Sequence, residues 1–456
     1  MSFPKYPECQ YSGVEWLGEV PVHWEVKRLS HYFKERREKA SDKEFVPLSV
    51  TMGGIVPRLE TAAKTQDGDN RKKVVAGDFV INSRSDRKGS SGISPTDGTV
   101  SLICIVLEPQ GTDRSFVHHL LRSRAFQEEF YRYGKGIVAD LWSTGFADMK
   151  NIVLAMPPSK EQRAIAAFLD HETGKIDALI EEQRRLIELL KEKRQAVISH
   201  AVTKGLDPNV PMKDSGVEWL GEVPAHWEVG PLKRVWDVKD CKHVTAEFVD
   251  DGYPLASIRE VQARCVDLRG AKQTTEGYYR QLIGEGRKPE AGDLIVSRNA
   301  TVGEISEVAD WHPLFSMGQD VCLLKRRFNG AAPGFIYYLF KSEAIGEQIN
   351  SLLVGATFKR INVEEIRALN ISFPPEVEQW RISRCLDRED DRFGRLIGEA
   401  ERGIELLRER RSALISAAVT GKIDVRGWSA GAEAEEPGLA MVAEDRAGYS
   451  AQGGAA

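Results

Sequence analysis

At 456 residues, 41% hydrophobic and 29% charged, the chain has an ordinary globular composition and the length of two to four domains. It contains no run of eighteen apolar residues, which excludes a membrane-spanning helix, and its N-terminus lacks the blocks of a secretory signal, so a cytoplasmic protein is expected. The net charge of −5 argues against a uniformly basic nucleic-acid binder, yet −4 of it lies after Trp428, and the near-neutral remainder can still hold basic patches.

In chain order, the first distinctive element is SGVEWLGEVPVHWEV, starting at Ser12. It returns as SGVEWLGEVPAHWEV at Ser215, 203 positions later, with Val22 replaced by Ala225. Pro21 and Pro224 fix a turn, and Trp16, Trp24, Trp219 and Trp227 supply apolar anchors. His23 and His226 read as packed or capping residues. The second copy follows a long helix by some ten residues, so the phrase reads as a joint. By symmetry the first copy is expected against Thr420–Asp424.

Residues 30–156 follow, with alternating runs that predict strands at 46–51, 78–83 and 100–107 and a helix around 116–131. Gly77-Asp78 marks the turn into the second strand. That strand ends in NSRSDRKGSSG, residues 82–92, where Ser83, Arg84, Arg87 and Lys88 combine hydroxyl and cationic groups suited to phosphate and guanine. Pro157-Pro158 then stop the chain before a proline-free stretch at 159–202. Ser159 with Gln162 suggests a capping box. Ile165, Leu169, Ile176, Leu179, Leu186, Leu190 and Val197, with Glu172, Gln183 and Lys193 between them, trace a coiled-coil seam. Such a helix spans roughly 65 Å.

The same order then repeats. Predicted strands fall at 254–258, 293–297 and 320–325, a helix at 335–352, and Gly292-Asp293 answers Gly77-Asp78. The loop SRNATVG offers Arg298, Asn299 and Thr301, and GATFKR offers Lys359 and Arg360; its counterpart at 138–143 is not basic. Pro374-Pro375 precede a second seam of Ile382, Leu386, Phe393, Leu396, Leu407 and Leu414. The offset between copies is 203 at the opening phrase and 217 from the Pro-Pro pairs onward. Each half therefore has a part of variable length followed by a helix of fixed length. The fold class is α+β: two β-rich domains with flanking helices, separated by two long helices that pair as an antiparallel coiled coil, in a pseudo-twofold internal duplication. The expected boundaries are 1–158, 159–204, 205–375, 376–424 and a disordered acidic tail, 425–456.

Six scattered cysteines without a C-x-x-C pair read as reduced thiols. There is no phosphate loop or dinucleotide fingerprint, the histidines show no metal spacing, and no catalytic constellation stands out, so neither a bound cofactor nor a metal is expected in this chain.

Variable domain, fixed helix, variable domain, fixed helix, with SGVEWLGEVPxHWEV and PPxxEQ at the joints, resembles the specificity subunit of type I restriction-modification systems over residues 12 to about 424. The resemblance implies two target recognition domains that read a split sequence in double-stranded DNA. It implies a helical spacer that docks two methyltransferase subunits, which bring S-adenosylmethionine, with two restriction subunits using ATP and Mg as an optional addition. This chain would be non-catalytic. A coiled-coil scaffold without DNA specificity, or a self-contained DNA methyltransferase or nuclease, are the readings that compete with it.

Overall fold

The computed structural model describes residues 3–59, 68–136, 142–327, 332–353 and 360–429. The chain forms two compact units, residues 1–182 with 403–456 and residues 183–402. The division falls inside the long helices, so each unit holds one β-rich domain and a portion of both helices.

These helices are Ser159–Lys204 and Glu376–Val419. Gly205 and Gly421, with φ of +77° and +73°, take the left-handed conformation that ends each one. The second helix stops at Val419 rather than at 424. In the second unit Arg194 donates to Asp390 at 2.5 Å, while Gly205 lies beside Glu378. Residue numbers rise on one helix as they fall on the other, so the pairing is antiparallel. In the first unit Arg411 grips both oxygens of Asp177, at 2.9 and 3.1 Å.

The seam differs from the expected one at alternate positions. Leu169 and Ile176 are buried as expected, but Ile180 and Ile187 are buried in place of Leu179 and Leu186, which are 47% and 43% exposed. On the second helix Leu386, Phe393, Ala400, Ile404 and Leu414 face inward, and Leu396 is exposed. Adjacent aliphatic residues at 179–180 and 186–187 let either a 3,4 or a 4,3 spacing fit the sequence. The partner helix makes the choice, because a knob must enter its hole.

The two β-rich domains share a frame. In the first unit the strands Ser91–Ile93, Phe79–Asn82, Cys104–Pro109 and Phe33–Glu35 lie side by side in that order, all antiparallel. In the second unit Ile305–Glu307, Leu294–Ser297, Val321–Arg326 and Trp236–Asp240 repeat the order. The central strands are buried on both faces, which accounts for their unbroken apolar runs. Each expected flanking helix is two helices, Arg114–Arg122 and Arg124–Arg132, or Pro333–Phe340 and Glu343–Leu353. Ser123 and Ser342 occupy the breaks and return their hydroxyls to Leu120 and Leu339.

Beyond the frame the domains diverge. The first adds the hairpin Leu48–Thr51 with Gly54–Pro57 and a sheet of Gly98–Val100, Arg71–Val74 and Lys39–Ala40. The second adds Phe248–Val249, Gln273–Thr274, Tyr253–Ala256 and Ser316–Met317, the last two pairing in parallel.

PPxxEQ has a structural explanation for both of its polar letters. Gln162 accepts the Asp113 N–H at 2.7 Å and donates to the Pro157 carbonyl at 2.8 Å. Gln379 does the same with Ala332 and Pro374, at 3.2 and 2.9 Å. The glutamine thus ties the helix start to its own domain instead of closing a capping box with Ser159. The glutamate serves the joint. Glu161 is buried and accepts from Tyr6, from Trp24 Nε1 at 2.9 Å and from His23 at 2.8 Å. Glu378 meets His226 at 2.8 Å.

The opening phrase lies where the symmetry argument puts it. A Cβ on Gly421 would come within 2.3 Å of Pro21 Cδ, and the Asp424 N–H donates to the Pro4 carbonyl at 2.8 Å. Residues 425–429 continue this packing. Val425 is buried and Trp428 lies edge-on to Phe168 at 5.5 Å, so the acidic tail begins later than residue 425. Residues 430–456 lie outside the described residues.

Candidate nucleic-acid interface

In the first unit, the strand Phe79–Asn82 leads into a short turn of helix at Ser85–Arg87. Asp78 prepares this strand by accepting the Val75 N–H at 2.8 Å and holding Arg36 through two bonds of 2.7 and 3.1 Å. The loop beyond it closes one side of a 770 Å³ cleft. Arg87 and Lys88 line that cleft opposite Ser49, Thr51, Met52 and Arg58 from the added hairpin and its exit. Arg87 is 68% exposed, with only Asp86 among the described residues within ion-pair range, at 3.8 Å. Arg71 also reaches the cleft, but Asp42 holds it at 3.1 Å.

Two residues of the expected set behave otherwise. Ser83 is buried, and its carbonyl accepts the Thr144 N–H at 3.0 Å. Arg84 turns its guanidinium to Asp86 at 3.0 Å and pairs its backbone with Ser143. The hairpin contribution, Thr51, Met52 and Arg58, escaped the sequence reading. TMGG at 51–54 was a usable turn signal, but nothing in it shows which loop the hairpin faces.

In the second unit, Asn299, Thr301 and Arg360 gather at the end of the strand Leu294–Ser297. Asn299 and Arg360 pair through their backbones, and Ser297 Oγ lies 3.2 Å from Thr301 Oγ1. Asn299 Oδ1 accepts the N–H of Ala300, whose φ of +58° makes the loop tip sharp. Arg360 keeps its guanidinium 4.0 Å from Asp320 and about half exposed. Arg298 does not join them. It is 3% exposed, with Nη2 2.8 Å from Asp240 Oδ1, close enough for an ion pair though off the line of a hydrogen bond. The side chain supports the loop from inside, because the strand's alternation turns it away from solvent. Lys359 lies outside the described residues.

Asp240, Cys241 and His243 place three possible ligand atoms within 4.8 Å of one another, a grouping the sequence reading did not anticipate. Arg298 already neutralises this carboxylate and lies 3.5 Å from Cys241 Sγ. Burial raises the Cys241 thiol above its ordinary value, which keeps it protonated and a poor ligand at neutral pH. No helix among the described residues is long and apolar enough to cross a membrane.

A further surface lies on the long helices. In the first unit Leu179 and Leu406 are 47% and 65% exposed; in the second, Leu186, Leu189 and Leu396 are 43%, 53% and 38% exposed. Leu396 and Leu406 repeat Leu179 and Leu189 at the offset of 217. Counted from the observed seam, Leu179, Leu186 and Leu396 all occupy the position just before a seam residue.

A family model described as the type I restriction modification DNA specificity domain matches residues 224–405. The type I restriction enzyme MjaVIII specificity subunit of Methanocaldococcus jannaschii is 23% identical over 431 residues, covering 89% of this chain and 94% of its own length. A chain from the solved structure described as the structural basis underlying complex assembly and conformational transition of the type I R-M system superposes with a TM-score of 0.67 at 16% identity, covering 89% of this chain and 99% of that one. The crystal structure of the HsdS subunit from Thermoanaerobacter tengcongensis gives 0.53 at 18% identity, covering 89% and 98%. Duplicated β-rich domains on paired helices, one of them matched by this model, are the architecture of a DNA specificity protein. Residues 224–405 thus carry a type I restriction modification DNA specificity domain, and the chain as a whole is similar to type I restriction enzyme specificity subunits.

Proposed function

We propose that this chain is the non-catalytic, sequence-reading subunit of its complex, each β-rich domain reading one half of a split target in double-stranded DNA. One observation carries the reading. The two domains share a four-stranded frame in the same strand order, while the loops beyond that frame differ in length and chemistry. A frame kept twice with different loops suits two half-sites of different sequence. Helices of 46 and 44 residues, aligned without insertion after each Pro-Pro pair, suit an unread spacer of fixed length.

In the first domain Arg87, Lys88 and Arg58 present donors to phosphate and guanine, with Ser49 and Thr51 beside them. In the second, Asn299, Thr301 and Arg360 do this, with Lys359 next in sequence. Arg298 positions the loop and Ser83 its strand. The functional partition puts recognition domains at 1–158 and 205–375 and a spacer at 159–204 and 376–424, whose second helix ends at Val419, with the tail beginning after the packed residues 425–429.

The repeated leucines on the helices are the docking surface for two methyltransferase subunits, one at each equivalent patch. Apolar patches at matching registers suit two copies of one partner. S-adenosylmethionine enters with those subunits, and ATP and Mg with restriction subunits where they join. Mapping methyladenine in host DNA tests the reading. A split motif methylated in both halves is expected, and replacing residues 84–90 should change one half only. A continuous motif, or both halves changing together, would overturn it.

A further inference from the structure

Beside the cleft of the first domain lies a second cavity of 560 Å³ whose walls are strongly cationic. Lys88, His118, Arg122, Arg124 and Arg411 line it, with Glu128 as its one acidic wall residue. Glu128 is engaged by Arg124 at 2.8 Å, and Arg411 by Asp177. Arg122 and Lys88 have no carboxylate within 4.0 Å among the described residues. Arg122 is partly buried and is held by neutral groups. It donates to His118 Nε2 at 2.9 Å and to the Met52 carbonyl. Burial pushes the His118 imidazole down to about 4, so at neutral pH it accepts this bond as an uncharged base. Burial and the neighbouring Arg411 lower Arg122 from its ordinary value, the sign of a cation lacking a counter-charge.

The equivalent place in the second domain is built differently. Tyr337 and Tyr338 replace His118 and His119, and Lys341 replaces Arg122. Lys341 pairs with Glu304, and Arg194, the counterpart of Arg411, with Asp390. Arg264 stacks on Tyr337 at 4.4 Å and pairs with Glu307 at 2.6 Å. Each cation there has a built-in carboxylate. In the first domain Arg122 and Lys88 have none among the described residues, and the cavity in front of them is open.

We infer that the cavity between Lys88, His118, Arg122 and Arg411 is a phosphate-binding site that takes one backbone phosphate of the DNA read by the first domain, and that the second domain has no equivalent. The inference rests on the DNA-reading function proposed above and adds a sequence-blind anchor to it. Met52 and Lys88 line both the cleft and this cavity, so a duplex whose base edges face the cleft brings its backbone alongside. Arg122 is pre-oriented by His118 and Met52, so little side-chain entropy is lost when an oxygen arrives.

The test measures duplex binding by the full complex over a range of salt concentrations. Arg122→Gln should weaken target and non-target duplexes by the same factor, roughly tenfold, and lower the slope of log affinity against log salt by about one. Arg122→Lys should keep the slope. Glu128→Gln, which frees Arg124 without removing any cation, should strengthen binding and raise the slope, and it keeps the test decisive if Arg122→Gln fails to fold. Unchanged affinity and slope in Arg122→Gln or in Glu128→Gln, or a loss confined to one base pair of the target, overturns the inference. Calorimetric titration of the full chain with inorganic phosphate separates the other source. Saturable phosphate binding lost in Arg122→Gln, with duplex binding unaffected, makes this a free-anion site and also overturns it. Absence of any target preference in the wild-type complex would instead sink the DNA-reading function, leaving the salt slopes to be judged separately.

Discussion

The two joints are written with nearly the same fifteen residues and are not equally built. At the first, Glu161 is buried beneath three donors, Tyr6, Trp24 and His23. At the second, Glu378 is 28% exposed and meets His226, while the Trp227 Nε1–H has no partner among the described residues. The glycines that end the helices differ in the same direction. Gly421 is pressed against Pro21, whereas a Cβ on Gly205 would have 3.3 Å to its nearest neighbour, the Glu378 carboxylate. A repeated phrase fixes the fold of a joint; the strength of the joint is set by what the rest of the chain brings to it.

That difference can be tested from its largest expected effect downward. Glu161→Ala leaves three donors facing a dry site and should cost about 4 kcal/mol in denaturant melts, against about 1 kcal/mol for Glu378→Ala. Equal losses would mean the extra partners of Glu161 contribute nothing. Gly421→Ala combines a left-handed backbone with a clash against a rigid proline ring and should cost about 3 kcal/mol, while Gly205→Ala, with a movable neighbour, should cost about 1 kcal/mol. Reversal of that order would show that Pro21 yields freely.

The domains differ in pH response as well. His118 titrates at about 4 in the folded protein, below its ordinary value of 6.5, because burial disfavours the imidazolium. The folded state therefore resists a proton that the unfolded chain accepts. The stability this contributes is complete above pH 6.5 and is lost as pH falls towards 4, on the order of 2 kcal/mol. Tyr337 holds the same place in the second domain and does not titrate in that window. His118→Tyr should flatten much of the acid loss, leaving the part due to His119, which burial also lowers. An unaltered acid limb in melts at pH 4 to 7 would dismiss His118 as its source. The smallest effect concerns the helices. Leu179→Lys and Leu396→Lys should each change stability by less than about 0.5 kcal/mol, because both side chains are exposed. Each should nonetheless remove one methyltransferase subunit from the complex in native mass spectrometry.

Much of this organisation is legible in the sequence because it is written twice. The repeat, the helix spans and the Gly-Asp turns follow from letters that recur in the same order in both halves. The seam was half legible, since Leu179 and Ile180 fit a heptad equally well and only the partner helix distinguishes them. The site was the least legible. Arg298 and Arg360 look alike in a loop, yet the pleat turns one toward Asp240 inside and leaves the other near the surface. Arg122 sits in a helical run that reads as core. Its role depends on residues 52, 88 and 411, which no local pattern brings together.

Among the described residues Gln162 and Gln379 each bind backbone groups only, an amide N–H of the preceding domain and a proline carbonyl. Every sequence supplies such groups, so the clamp asks nothing of the head's side chains. An exchange of the domain at the Pro-Pro border would leave this clamp intact, while side-chain ties such as His119 to Asp170 and Tyr338 to Asp387 would have to be matched. The clamp is generic where the strands and loops beyond the shared frame are particular.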